Sequence, residues 1–170
     1  MRLLPLAALF VAATLGPPAL TAQGAIGVAL GGGASLPTDE LDGDASAGWN
    51  ALAALVIGVP MHPIGLRVDA AYSQFGLGGG HESLASATLN LTYRLPMTRS
   101  LLSPYLIAGA GGYRTDCGGG AACADGTRFG WNAGLGTRLR LFALTTFVEA
   151  RYHRAGERGA YVPVTFGATH

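Results

Sequence analysis

The chain of 170 residues contains no lysine, only two cysteines and few charged residues. Charged residues make up 12% of the sequence, about half of the ~25% that is usual in soluble proteins. Because disorder requires low hydrophobicity and high net charge, a hydrophobic content of 49% excludes a disordered chain. The formal net charge of +1 provides no basic face, so we expect no nucleic-acid partner.

Long apolar runs are also missing, except at the amino terminus. Residues 3–15 form an apolar run that follows a single arginine and precedes small residues, which is the pattern of a secretory signal peptide. A transmembrane helix needs about 20 apolar residues, and this run is shorter. We therefore predict a signal peptide over residues 1–22, cleaved between Ala22 and Gln23, followed by one domain over residues 23–170.

Export would place the two cysteines, Cys117 and Cys123, in an oxidising compartment. The glycine-rich segment between them is flexible enough to close a small ring. A zinc site would require more ligands than two cysteines, and no histidine lies nearby in the sequence. We predict a disulfide between the two cysteines and no metal or cofactor.

Beyond the predicted leader, apolar and polar side chains alternate with a period of two, and turn residues interrupt the alternation, which is typical of β-strands. In residues 64–75, for example, Leu66 and Val68 share one face while Arg67 and Asp69 share the other. An even number of antiparallel strands can close into a barrel with both ends on one side. The pattern predicts eight strands, roughly 24–35, 48–58, 64–75, 83–95, 103–113, 128–140, 144–153 and 160–168.

Three features favour a barrel in a bilayer over a soluble sheet. The polar faces carry charges of both signs, and they are rich in glycine, which a crowded interior tolerates. Aromatic residues lie near the strand ends, where interfacial girdles would place them, although ordinary core packing is the alternative. These aromatic residues are Trp49, Tyr72, Tyr93, Tyr105, Tyr113, Phe129, Trp131, Tyr152 and Phe166.

The connections between the predicted strands fall into two alternating classes. One class is short and partly proline-rich, and the other is longer and more polar. Barrels with short periplasmic turns and longer outer loops have this arrangement. The predicted outer loops are 37–48, 76–82, 114–127 and 153–160.

The leader, the eight strands, segment 104–114 (PYLIAGAGGYR) and segment 162–170 (VPVTFGATH) resemble the small OmpA/OmpX-like outer-membrane β-barrel proteins of Gram-negative bacteria. The resemblance covers the whole chain after the leader. It implies an all-β, antiparallel up-and-down transmembrane barrel in the outer membrane, in contact with outer-membrane lipid and inserted by the barrel-assembly machinery. Such proteins usually end in an aromatic residue, whereas this sequence ends in His170 and its nearest aromatic is Phe166.

An eight-stranded barrel has an interior that its own side chains just fill, so we expect no solute pore. Inward charges should neutralise one another in a lumenal network, because an isolated buried charge is costly. The residues assigned to this network are Arg67, Asp69, Arg94, Arg138, Arg140, Glu149 and Arg151.

Four acidic residues in the first predicted outer loop are a candidate site for a divalent cation, because calcium prefers several oxygen ligands. They are Asp39, Glu40, Asp42 and Asp44. Their spacing differs from that of an EF-hand, and a solvated loop is the alternative.

We expect a non-enzymatic barrel that serves envelope integrity or surface contact through its outer loops, with the loop partner unknown. The alternative is a soluble, exported, lipocalin-like barrel that binds an apolar ligand and turns Leu66, Leu89 and Leu135 inward. A third hypothesis is a lipid A deacylase-like enzyme that uses His153. Those enzymes have a His-x-Ser arrangement, whereas position 155 is alanine here.

Overall fold

The chain forms an eight-stranded antiparallel β-barrel, which confirms the predicted fold class. Each strand pairs with its neighbours in sequence, and β1 pairs with β8 to close the barrel. The strands are β1 (Ile26–Pro37), β2 (Ala45–Gly58), β3 (Ile64–Leu77), β4 (Gly80–Arg94), β5 (Leu102–Gly118), β6 (Gly126–Leu141), β7 (Leu144–Ala155) and β8 (Ala160–Thr169). The computed structural model describes residues 26–38, 45–59, 61–77, 79–96, 101–119, 125–141, 144–156 and 159–170.

Three predictions fall wholly or partly outside the described residues and stay predictions. They are the signal peptide over residues 1–22 with its cleavage between Ala22 and Gln23, the candidate cation site in residues 39–44, and the disulfide, because Cys123 is not described. Within the described ranges, no helix is long and apolar enough to cross a membrane.

Side chains alternate between the lumen and the outside, as the period of two requires. Leu66, Val68, Leu89, Leu91 and Leu135 are between 39% and 63% exposed on the outer surface, whereas the intervening Arg67, Asp69 and Asn90 are buried. This orientation is the opposite of the one that a lipocalin-like barrel needs, so the lipocalin-like alternative is wrong.

The outward side chains form an apolar belt around the barrel. On β3 they are apolar or aromatic from Ile64 to Tyr72, and on β5 they are apolar from Leu102 to Gly112. These stretches match the ~9–11 residues that a tilted membrane-spanning strand requires. Because the barrel is closed, every strand has a pairing partner on both sides, which a hydrocarbon environment demands.

The barrel has a terminal end and a loop end. At the terminal end, β1 begins and β8 finishes, and Val28 and His170 exchange two backbone hydrogen bonds of 3.0 and 2.9 Å. The loop end contains the connections between β1 and β2, β3 and β4, β5 and β6, and β7 and β8.

The loop-end connections are shorter than the sequence predicted. Residues 76, 77 and 80–82 of the expected loop 76–82 belong to β3 and β4, and Gly79 adopts a φ of 90° that favours glycine. Half of the expected loop 114–127 belongs to β5, which ends at Gly118, and β6, which begins at Gly126. Beyond the apolar belt, the paired strands continue with glycine and polar residues. Because these residues do not alternate in hydrophobicity, the sequence pattern did not predict strands there.

Two of the predicted girdle aromatics are in the core instead. Tyr105 and Tyr113 are 3% and 1% exposed, inside the barrel, so the girdle prediction is wrong for both. The outward aromatics include two tilted pairs, Trp49 with Tyr72 at 5.4 Å and Trp131 with Tyr152 at 5.6 Å between ring centroids. Tyr93, Phe129 and Phe166 are also exposed on the outer surface.

Candidate functional site inside the barrel

The centre of the lumen contains a charged layer made by two strands on opposite walls. Arg67 and Asp69 project inward from β3, and Glu149 and Arg151 project inward from β7. These strands run in the same direction, four strands apart in a closed ring of eight, so the two pairs meet across the axis. All four residues are 1–3% exposed.

Each cation of the charged layer contacts both anions. Arg67 donates from Nε and Nη2 to Asp69 at 2.7 and 2.8 Å, and from Nη1 and Nη2 to Glu149 at 2.8 Å each. Arg151 contacts Glu149 from Nε at 2.7 Å and Asp69 from Nη1 at 2.8 Å. The layer holds two positive and two negative charges, so it is neutral as a unit.

Neutral side chains complete the hydrogen bonding of this layer. The Tyr105 hydroxyl donates to Glu149 Oε2 at 2.7 Å. Arg151 Nη1 lies 3.5 Å from Asn132 Oδ1, and Asn132 Nδ2 donates to Asn90 Oδ1 at 2.9 Å. Burying ions is expensive, and the cost is offset only when charges are paired and their remaining hydrogen bonds are satisfied. The layer meets that condition.

Glycines on β6 make room for these long side chains. A Cβ atom at Gly136 would lie 2.5 Å from the Tyr105 ring, and one at Gly134 would lie 2.7 Å from Cγ of Arg151 and closer still to the β7 backbone. All of these approaches are closer than van der Waals contact permits. The glycine-rich inward face of β6 is therefore part of how the charged layer fits inside the barrel.

An aromatic layer lies next to the charged layer, toward the loop end. Nδ1 of His153 is 3.0 Å from the Tyr113 hydroxyl, and its ring stacks on Tyr161 with 5.0 Å between centroids. Phe75 and Leu84 pack in the same cluster. Because His153 is 2% exposed and faces the lumen, it does not reach the apolar belt, where a lipid acyl chain would lie.

The seven residues assigned to one lumenal network occupy two levels of the barrel. The structure brings together Arg67, Asp69, Glu149 and Arg151, but Arg94, Arg138 and Arg140 lie nearer the terminal end. None of the ion pairs between described residues includes these three arginines. Period two fixes the face of a strand residue but not its level along the barrel axis.

Three residues of the charged layer were not assigned to it from the sequence. They are Tyr105, Asn90 and Asn132. Asn90 and Asn132 were placed on the polar, inward faces, but nothing in the alternation pairs them across strands. Tyr105 pairs with Gly136 across β5 and β6, and the missing side chain of that glycine leaves room for the tyrosine ring. The pairing can be recognised only after the two strands have been aligned.

Polar contacts also occur at the loop end, on the outer surface. Arg114 and Asp116 form an exposed ion pair with an Nε–Oδ2 distance of 3.0 Å. The hydrogen bond from Arg114 holds the pKa of the Asp116 carboxyl below its usual range. Asp125 Oδ1 accepts a hydrogen bond from the Cys117 backbone at 2.9 Å, which ties the end of β5 to the start of β6. Among the described residues, no group of three or more histidine, cysteine, aspartate or glutamate side chains could hold a metal ion.

Comparison with known proteins finds structural neighbours only. No protein-family model and no curated protein matches the chain. Neisserial surface protein A is 14% identical, with a TM-score of 0.72 over 85% of this chain and 95% of that one. Ail, the attachment invasion locus protein of Yersinia pestis, is 15% identical, with a TM-score of 0.57 over 86% and 97%. The N-terminal barrel domain of Pseudomonas aeruginosa OprF is 13% identical, with a TM-score of 0.54 over 86% and 98%.

These neighbours share the fold that the sequence pattern predicted. The closed ring of eight strands, the apolar belt and the filled, polar lumen are the features of small membrane-spanning barrels. Together they show that this chain has the fold of small eight-stranded membrane-spanning β-barrels, the fold of these outer-membrane neighbours.

Proposed function

We propose that this protein is a non-enzymatic outer-membrane barrel that acts at the cell surface, through contact of its loop end with a partner outside the cell. The supporting observation is a projecting sheet, formed where β3, β4, β5 and β6 continue beyond the apolar belt. Its outward side chains are polar, as water contact requires, and they include Gln74, His81, Arg114 and Asp116. Loops and strand ends of this kind commonly carry the function of a rigid scaffold.

The filled lumen makes transport a poor candidate function. The charged layer crosses the barrel from β3 to β7, and the aromatic layer covers its loop-end side. An eight-stranded barrel has room for its own side chains and little else. The surface at the loop end is therefore the best candidate for activity.

Two neighbours have names that suggest the same kind of role. One is named a surface protein and another an attachment invasion locus protein. We extend surface contact to this chain as part of the proposal. We also propose that the apolar belt contacts outer-membrane lipid and that the barrel-assembly machinery inserts the chain.

The proposal can be tested by shortening the projecting sheet while keeping the barrel. In a tip variant, residues 116–125 are replaced by Asn-Gly, which favours a two-residue hairpin turn and joins Thr115 to its partner Gly126. Wild type and tip variant are expressed in a non-adherent Gram-negative strain, and cell binding is measured on surfaces coated with heparin, laminin or collagen. We expect the wild type to increase binding to at least one coating and the tip variant to abolish the increase.

The control is Arg140→Gln, which changes the opposite end of the barrel and should leave adhesion unchanged. Both variants must keep the mobility shift of a folded barrel on boiling. Wild-type cells that adhere no better than cells with an empty vector would contradict the proposal. A strain that lacks the gene for this protein tests the other role. If the tip variant restores detergent resistance to that strain as fully as the wild type does, the role lies in envelope integrity.

A further inference from the structure

The terminal end of the barrel opens into a cavity of about 390 Å³. Arg94, Arg138 and Arg140 line it from β4 and β6, whereas Gly27 and Gly58 line it from β1 and β2. Gly58 has no side chain that could enter the cavity, and Gly27 lies against the His170 backbone, whose oxygen would be 2.9 Å from a Cβ at position 27. We call this cavity the terminal mouth.

The three arginines lie on one wall of the terminal mouth. In the register of the sheet, Arg94 pairs with Tyr105 of β5, and Arg138 pairs with Ser103 of the same strand. Arg140 follows two residues after Arg138, so it faces the same side. The guanidinium carbon of Arg138 lies 4.9 Å from the Tyr105 ring centroid, and this contact positions it at the floor of the mouth.

The charge of the terminal mouth is not balanced by the charged layer below it. Tyr105 separates the two, and the Glu149 carboxylate is already engaged by Arg67, Arg151 and Tyr105. The remaining described acidic residues lie toward the loop end. These are Glu82, Asp116 and Asp125.

We propose that the terminal mouth binds a phosphate-bearing anion. Guanidinium groups present paired donors that match phosphate oxygens. A singly charged carboxylate would leave two of three positive charges unbalanced, whereas a phosphate monoester brings close to two negative charges. Ser103, Thr145 and Thr169 line the same cavity and supply hydroxyl donors. The ligand is either a free phosphate or the headgroup of an anionic phospholipid, since the mouth lies next to the apolar belt.

The wild-type protein alone provides a direct test, because a tightly bound anion slows the reaction of an arginine with phenylglyoxal. The folded barrel is kept in dodecyl maltoside, which contains no phosphate, and the modification of each arginine is followed by peptide mass spectrometry. The exposed Arg114 at the loop end is the internal control. We expect inorganic phosphate to slow modification of Arg94 and Arg140 by about tenfold, and sodium chloride of equal ionic strength to have little effect. Arg114 should react at the same rate in phosphate and in sodium chloride.

A second arm identifies the source of the phosphate. Mixed micelles containing phosphatidylglycerol replace the free phosphate, and the same peptides are followed. Protection by phosphatidylglycerol at low mole fraction identifies a lipid headgroup, and protection by inorganic phosphate alone identifies a soluble ligand. Each of these results supports a phosphate site.

The proposal is overturned if neither probe protects Arg94 and Arg140, or if both probes protect Arg114 equally. A binding measurement with Arg140→Gln adds a second criterion. That variant should bind phosphate about tenfold more weakly than wild type, whereas Arg114→Gln should bind it unchanged.

Discussion

Arg67 and Glu149 lie on opposite walls of the barrel, and the guanidinium group of Arg67 donates two hydrogen bonds of 2.8 Å to the Glu149 carboxylate. The same guanidinium group also holds Asp69 on its own strand. A single side chain thus links β3 and β7 through the lumen, in addition to the hydrogen-bonded sheet that links them around the wall. We expect this link to stabilise the closed barrel.

Removal of one member of the charged layer should be strongly destabilising. Glu149→Gln leaves an uncompensated buried positive charge, and breaking a buried pair in this way costs about 3–5 kcal/mol. Unfolding by urea in lipid vesicles, followed through the mobility difference between boiled and unboiled samples, measures the free energy. The exposed Arg114→Gln is the control and should not measurably change it.

The double variant Arg67→Gln/Glu149→Gln tests whether the two residues act as a pair. It restores neutrality, so its free-energy loss should be smaller than the sum of the two single losses by at least about 1 kcal/mol. Strictly additive losses would contradict the coupling across the lumen.

The charged layer requires glycine on β6. This is tested by an alanine substitution on β6 and a control substitution on β5. Gly136→Ala places a methyl group 2.5 Å from the ring and hydroxyl of Tyr105, which donates to Glu149 in the charged layer, and the expected loss is about 1–3 kcal/mol. Gly112→Ala on β5 meets nothing within 4 Å and is the matched control. Urea unfolding of the two variants under identical conditions gives the comparison. Equal stability of the two variants would refute the packing argument.

How far the fold could be predicted from the sequence depended on the contrast between the two faces of each strand. On β3 the contrast is strong, because Leu66 and Val68 alternate with Arg67 and Asp69, and the faces were assigned correctly. On β5 the contrast is weak, because the inward face carries Tyr105 and Ile107 while the outward face carries Leu106 and alanines. The sequence therefore did not show that Tyr105 points into the lumen.

The candidate site could be predicted only in part, for a different reason. Alternation shows that Arg94 and Arg138 share the lumenal face with Glu149, but it does not give their height along the axis. The height follows from strand ends and register, which depend on pairing between segments far apart in sequence. This is why one predicted network corresponds to a neutral charged layer and a separate terminal mouth.

Cysteine labelling tests which face of β4 meets lipid. In a background without the native cysteines, a fluorescent probe at Leu89→Cys should be quenched by brominated lipid, because Leu89 faces outward in the apolar belt. Asn90→Cys should resist reagents until the barrel unfolds, because Asn90 is 1% exposed. Labelling of position 90 and not position 89 by a water-soluble reagent would contradict this orientation.

The predicted disulfide between Cys117 and Cys123 can be measured in the unfolded, unreduced protein. A thiol reagent should find no free thiol before reduction and two after it. Because the ring would close the tip between β5 and β6, outside the apolar belt, reduction should leave the barrel folded. Detection of free thiols before reduction would refute the disulfide.

Closure of β1 against β8 predicts a characteristic behaviour on gels. The two strands pair from Ala29 with Thr169 to Pro37 with Tyr161, which leaves no open edge in the ring. A closed barrel resists cold detergent, so the unboiled protein should migrate differently from the boiled protein and should fractionate with the outer membrane. A periplasmic marker run in parallel controls the fractionation. A soluble protein with an apolar belt of this size would aggregate in water. Release of the protein with the periplasmic marker, together with the same mobility before and after boiling, would therefore contradict both the closure and the membrane location.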